Sequence, residues 1–365
     1  MIDVKINKFY DLIKNRLVKN SFYTGLALTF IGFVPFIFNF LVARSFGKEI
    51  LGSINMTLSF CLIITIFITN FFGTSANKFL AEYRGREQLN HFIYTFRIMI
   101  YGSLAVISSI SLIIFFNWDF FSIKFSLPYN LLLPIISFIF LRSFYILFRR
   151  AFYGMDLVKS YAINEICSDI LMIIIISYLC YTKDSMLLIH SYLVSYLFFL
   201  ILSLLTFKNN YDQITSSLHY QKNFSKKDVL LSFTKYGYIS MIGTVASTGT
   251  GYISVIITGT FLNTSDAGLY SSVLTVISIL TFIPKLFTQV FLPEFSKLFG
   301  QGNKKKITEI IKKSSKLMFL IASVVCTILF VNAGNILTVF GEEFLKADTI
   351  LKIIIPSVFV RMISI

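Results

Sequence analysis

Ten long apolar runs follow one another along the chain, at approximate limits 22 to 43, 50 to 73, 93 to 116, 130 to 148, 160 to 180, 187 to 206, 233 to 259, 268 to 291, 317 to 333 and 349 to 365. A bilayer core about 30 Å thick is crossed by ~20 apolar residues at 1.5 Å rise each. The runs have that length. They are continuously apolar rather than alternating, which predicts helices and not barrel strands. Backbone in hydrocarbon closes its hydrogen bonds within such helices. The expected fold class is an all-α polytopic membrane bundle of about ten transmembrane helices.

A second pattern lies over the first. Sliding the chain against itself by 216 positions sets Gly52 on Gly268 and Phe79 on Phe295, and lays runs one to four on runs seven to ten without a gap. Few side chains match, so the repeat lives in the spacing of spans and basic loops, the usual trace of transporter halves. Six runs, an even number, separate the copies, so both halves are expected to share one orientation about an axis along the membrane normal. The expected organisation is a cytoplasmic segment 1–21, a first lobe 22–206, a polar linker 207–232 and a second lobe 233–365. By the same offset Ile365 corresponds to Arg149, so the second lobe is expected to lack partners for helices five and six.

Composition sharpens this picture. With 56% apolar and 14% charged residues, lipid is the expected solvent. The net charge of +15 invites a nucleic-acid reading, but its placement argues otherwise. Lys5, Lys8, Lys14, Arg16 and Lys19 precede the first run, and the gaps after runs two, four, six and eight hold most other cations, including Lys304, Lys305 and Lys306. The opposite gaps hold only Arg44, Lys48, Lys124, Lys183 and Lys346. This asymmetry places the amino terminus in the cytoplasm and leaves no role for nucleic acid. The first run is too long for a signal peptide and lacks a small-x-small cleavage site, so it is expected to stay as a helix.

Cys61, Cys167, Cys180 and Cys326 have neither disulfide nor zinc spacing and read as packing residues, while His91, His190 and His219 are scattered. No phosphate-binding glycine loop is present. No cofactor or metal is expected, and an enzyme is disfavoured. The segments 117–129 and 334–348 are too short for a folded external domain.

Candidate chemistry therefore sits inside the apolar runs, where an ionisable side chain costs ~2.5 to 3.5 kcal/mol unless paired, snorkelling or facing water. Arg142 lies about two turns from the end of run four, roughly 10 Å deep, and is the leading cavity cation. Snorkelling toward Arg149 and Arg150 is its plainer reading. Glu165 and Asp169, four apart, share a face with Tyr161 and Ser168, and Ile170 to Ile176 are expected on the lipid side. An Arg142–Asp169 ion pair competes with ion coupling at Asp169 and Glu165. Lys285, beside Pro284, and Lys235 are further phosphate candidates. Ser240, Thr244, Ser247, Gly251, Ser254 and Thr258 form a small or polar stripe, read equally as cavity lining or as a close-packing face. Pro35, Pro134 and Pro356 are expected to add bends.

The segments FGKEILGSINMTLSF (46–60) and NKFLAEYRGREQ (77–88), with NTSDAGLYSSV (263–273) and IPKLFTQVFLPEFSKL (283–298), resemble bacterial polysaccharide repeat-unit flippases. These are relatives of the multidrug and lipid-linked oligosaccharide exporters of the MOP superfamily. The resemblance implies a two-lobed, MATE-like bundle. It implies a bacterial inner-membrane protein that moves undecaprenyl-diphosphate-linked oligosaccharide outward for O-antigen or capsule synthesis. Its implied partners are that substrate, membrane lipid, and polysaccharide polymerase and chain-length proteins. The competing readings are a cation-coupled exporter of small molecules and a membrane-embedded glycan polymerase.

Overall fold

A computed structural model describes residues 2–280 and 304–363, with side chains from Phe22 onward apart from those of 247, 304 and 306. The described residues are almost wholly helical, with one isolated bridge between Gln88 and His219. Six spans among them are long and apolar enough to cross a bilayer: Phe22–Gly85, Leu89–Phe116, Tyr129–Gly154, Val158–Thr182, Leu188–Thr215 and Ile307–Val331. The all-α, multipass expectation holds, while several helix limits differ from those expected.

The first two runs are two helices with a single non-helical residue between them. Helix α1 (Ile2–Ile68) contains Gly47 at φ 79°, ψ −177°. A side chain there is strained, and a Cβ would lie 2.8 Å from Glu343 Oε1. That carboxylate accepts the Lys48 N–H at 2.9 Å, satisfying a donor that a restarting helix leaves without a partner. The expected polar gap is thus a one-residue break. Beyond it the helix runs through a π turn, Thr69–Gly73, into α2 (Thr74–Gly85).

A second π turn, Ile98–Gly102, joins α3 (Leu89–Arg97) to α4 (Ser103–Phe116), and α5 (Trp118–Lys124) lies within the short 117–129 segment. Next come α6 (Leu132–Gly154), α7 (Val158–Thr182) and α8 (Leu188–Thr215). Pro134 is the third residue of α6, in the first turn, where its missing N–H breaks no helical bond. The bend expected there has no cause.

The polar linker is docked. Helix α8 continues to Thr215, and α9 (Lys226–Thr244) starts at Ser225, whose hydroxyl accepts the Asp228 N–H. Between them His219 N donates to Glu87 O at 2.8 Å, Leu89 N to His219 O at 3.0 Å, and Asn90 Nδ2 to Gln221 O at 2.9 Å. A third π turn, Val245–Gly249, leads from α9 to α10 (Thr250–Phe261), followed by α11 (Thr264–Leu280). The chain then runs through α12 (Lys304–Val331), α13 (Ala333–Thr338) and α14 (Asp348–Ile363).

Two compact units result: Glu49–Gly268, and Met1–Lys48 with Leu269–Ile365. These limits are not those expected for the lobes. In the unit Glu49–Gly268, α6, α7 and α8 pack against one another, α2 packs on α6, and α9 packs on the first π turn. Gly52 makes its closest approach here: a Cβ on it would collide with the Thr264 carbonyl oxygen and lie 2.7 Å from Gly268 N. The two glycines matched by the 216-residue offset therefore meet. In the other unit, α12 packs on α14, the Phe340 ring lies 6.0 Å from both Phe36 and Phe40, and Asn39 Nδ2 donates to Thr275 Oγ1 at 2.8 Å. Cys61, Cys180 and Cys326 are buried as expected of packing residues, whereas Cys167 is exposed.

Candidate functional site: a buried cluster of opposite charges and tyrosines

The unit Glu49–Gly268 holds a group of charged and phenolic side chains where α6, α7 and α8 pack. Helix α6 supplies Arg142, Tyr145 and Arg149, α7 supplies Tyr161, Glu165 and Asp169, and α8 supplies Tyr192 and Tyr196. The spacing 142, 145, 149 stacks three residues on one helix face, and 161, 165, 169 does the same on α7. Each helix thus presents a polar stripe while the rest of its surface stays apolar. Ile170 and Ile174 are exposed on the far side of α7, but Met172 and Ile176 are buried, so its lipid side is narrower than expected.

Arg142 is the centre of the group. Its Nη1 donates to Tyr196 Oη at 2.8 Å, and its guanidinium carbon lies 5.1 Å from the ring centres of both Tyr145 and Tyr196. The two rings are 4.7 Å apart. No ion pair within 4.0 Å joins Arg142 to Asp169 among the described residues, so the structure does not show the pairing that competes with ion coupling. The guanidinium is planar and weakly hydrated, and it stacks well on aromatic faces. It is therefore held by rings and a phenol oxygen, and its charge is not cancelled by a contacting carboxylate.

The acids lie on the other side of Tyr145. The Tyr145 hydroxyl donates to Glu165 Oε1, and Glu165 is 1% exposed. Asp169, one turn away, is also buried. Glu165 Oε2, Asp169 Oδ2 and Arg142 Nε are buried with no hydrogen-bond partner among the described residues. Arg149 lies with its guanidinium carbon 5.8 Å from the Tyr161 ring centre, and the Tyr153 ring is 5.0 Å from that of Tyr161. Around this core α7 and α8 are tied by neutral bonds, Ser195 Oγ to Ser168 O at 2.9 Å and Asn164 Nδ2 to Thr206 Oγ1 at 3.2 Å. The carboxylate oxygens without partners can take up protons or hold a small cation, and the guanidinium can take an anion.

The remaining sequence candidates divide. Lys235 is exposed on α9, next to Tyr236, whose ring carries Lys78 Nζ at 4.1 Å. It is separate from the buried cluster. Lys285 lies outside the described residues, as does the side chain of Ser247. Along α9 and α10 the hydroxyls of the stripe bond to carbonyls of their own helices. Thr244, Ser254 and Thr258 donate to the carbonyls of Ser240, Thr250 and Ser254, at 2.9, 2.8 and 2.9 Å. A hydroxyl in an apolar helix satisfies itself this way on its own preceding turn. Ser240, Ser254 and Thr258 are half-buried, and a Cβ on Gly251 would meet nothing within 4 Å, so this face is not the tight packing surface that a small-residue stripe suggests.

Sequence reading missed Tyr145, Arg149, Tyr161 as a ring partner, Tyr192 and Tyr196. A signal was present, since Tyr145 follows Arg142 by three residues and Tyr192 and Tyr196 are four apart. Aromatic residues in apolar runs are ordinary, and only the packing of α8 on α6 brings them to the guanidinium.

The profile of the polysaccharide biosynthesis protein family matches residues 17–299. The chain belongs to that family. Its fold is that of the MATE transporters of the MOP superfamily. A eukaryotic MATE transporter, AtDTX14, superimposes with TM-score 0.67 at 17% identity, covering 95% of this chain and 80% of that one. A MATE protein in complex with MaL6 gives 0.64 at 14% identity, over 96% and 80%. The inward-facing conformation of a multidrug resistance MATE family transporter of the MOP superfamily gives 0.63 at 12% identity, over 91% and 81%. No curated protein matches the sequence.

Proposed function

We propose that this chain is a flippase that carries an undecaprenyl-diphosphate-linked oligosaccharide repeat unit across the bacterial inner membrane, for O-antigen or capsular polysaccharide synthesis. The observation that carries the proposal is the half-buried Arg142 guanidinium, held on the rings of Tyr145 and Tyr196 with no contacting carboxylate. A diphosphate headgroup crossing hydrocarbon needs a cation whose charge is still available, and aromatic faces beside it suit sugar rings as well. Membership of a polysaccharide biosynthesis family and the fold of an exporter superfamily support the same reading. The amino terminus is cytoplasmic in this reading, because most basic loops lie on its side.

The two buried carboxylates support a second component. Glu165 and Asp169, each with an oxygen lacking a partner, are suited to ion coupling, and they equally favour the rival reading of a cation-coupled small-molecule exporter. Complementation separates the two. In a strain lacking its repeat-unit flippase, Arg142→Ala is expected to abolish surface glycan at normal membrane abundance, and Arg142→Lys to restore part of it. Equal loss of protein in both variants points to a structural role for Arg142. Failure of the unaltered chain to restore any of a panel of defined glycans, together with drug efflux that depends on Asp169, favours the exporter.

A further inference from the structure

Tyr145 touches both signs of charge in the buried cluster. Its ring lies 5.1 Å from the Arg142 guanidinium carbon, and its hydroxyl is bonded to Glu165. The neighbouring Tyr196 commits its hydroxyl to Arg142 instead. One phenol therefore stands between a fully buried acid and the cation that the transport reading assigns to the substrate headgroup.

We propose that Tyr145 is a positioning residue through which protonation of Glu165 controls the capture of a diphosphate at Arg142; the inference rests on the transport reading above. With Glu165 ionised, the phenol donates to it, and a negative charge sits one ring away from the guanidinium. That charge offsets the field of Arg142 and repels an incoming anion in a medium where water screens little. Once Glu165 takes up a proton, the negative charge is gone, and the carboxyl O–H can donate to the phenol oxygen. The ring keeps its place under Arg142, whose full charge now faces the headgroup. Proton and diphosphate then bind cooperatively, and linkage requires that each raise the affinity for the other by the same factor.

The groups that bear on this contact are known from each packed element. Helix α6 adds Arg149, α7 adds Tyr161 and Asp169, α8 adds Tyr192 and Tyr196, and α10 adds Tyr252. Asp169 acts in the same direction as Glu165, since it too places negative charge near Arg142 when ionised. The Tyr145 hydroxyl is bonded to Glu165 and not to Asp169, so the two acids are separable by substitution at 145.

The experiment measures binding of farnesyl diphosphate, a short soluble polyprenyl diphosphate, to the full chain in nanodiscs between pH 5.5 and 8, with farnesol as the uncharged control. The unaltered protein is expected to bind the diphosphate more tightly at the acid end, by roughly 5- to 150-fold, the usual span of coupling between two sites. Tyr145→Phe keeps the ring but removes the hydrogen bond that holds Glu165 in its ionised form, so the variant is expected to retain binding at every pH while losing most of that pH dependence. Glu165→Gln is expected to lose the same share, and the double variant no more than either alone. Tyr145→Leu, which removes the ring, is expected to weaken binding at every pH. A Tyr145→Phe profile identical to that of the unaltered protein overturns the inference, as do Tyr145→Phe and Glu165→Gln effects that simply add. If the unaltered protein prefers farnesyl diphosphate over farnesol at no pH, the transport reading fails and takes this inference with it. A pH-independent preference for the diphosphate leaves the transport reading standing and sinks only the role of Tyr145.

Discussion

Helices α6 to α8 and helices α9 to α10 both carry polar residues on otherwise apolar surfaces, yet they satisfy them in opposite ways. In the first region Arg142, Glu165 and the tyrosines reach across helix boundaries to one another. In the second, Thr244, Ser254 and Thr258 turn back onto carbonyls of their own helix. The difference follows from chemistry. A hydroxyl has one proton to place, and the preceding turn offers an acceptor within reach. A guanidinium has five donors and a carboxylate several acceptor sites, more than their own helix can supply. Charge in an apolar helix therefore requires a neighbour, and a hydroxyl does not.

Substitutions test that contrast. The largest expected effect comes from moving a charge into the wrong region. Ser254→Asp puts a carboxylate into an apolar helix in place of a hydroxyl that bonds to Thr250 O and is expected to cost ~2.5 to 3.5 kcal/mol of insertion energy, read as loss of membrane-integrated protein. Normal integration would mean that α10 faces water. Next is Glu165→Ala, which strands the Tyr145 hydroxyl in a buried place. A loss of about 1 to 3 kcal/mol is expected, seen as a lower thermal unfolding midpoint in detergent. A midpoint unchanged from the unaltered protein would show that the acid makes no net contribution. Ser195→Ala removes one neutral bond between α8 and α7, and ~0.6 kcal/mol is expected by the same measurement, the average for such bonds in membranes. Smallest is Thr258→Val, which replaces a self-satisfied hydroxyl by an isosteric methyl and should stay within about 0.5 kcal/mol. A Thr258→Val effect larger than that of Ser195→Ala would reverse the comparison.

The same contrast explains what could be read in advance. Length and continuity of apolar runs gave the multipass helical fold, because a bilayer imposes both on any spanning segment. The shared face of Glu165 and Asp169 was legible from helical periodicity alone. Their partners were not. Whether Arg142 meets Asp169 or Tyr196 depends on the rotation of α8 against α6, to which periodicity within one helix is blind. The hydroxyl stripe was legible only as a spacing, which shows where Ser254 and Thr258 point along the helix but not that each donates to a carbonyl of its own helix. Helix ends were misread where one residue does what a loop usually does. At Gly47 the break is complete within a single φ of 79°, so a polar gap several residues long was expected where none is needed. The π turns, which carry α2 and α10 onward from the preceding helices, leave no mark in hydropathy.

Gly47 has a counterpart in the repeat, Asn263, and the two helix starts differ in who caps them. Asn263 Oδ1 accepts the Asp266 N–H at 2.8 Å, so α11 is capped by a residue made moments before it. The Lys48 N–H waits for Glu343, 295 residues downstream. At ordinary rates of synthesis that interval is roughly 15 to 60 s. The ribosome therefore delivers one helix start finished and the other open, and the open one becomes whole only after Glu343 has been made.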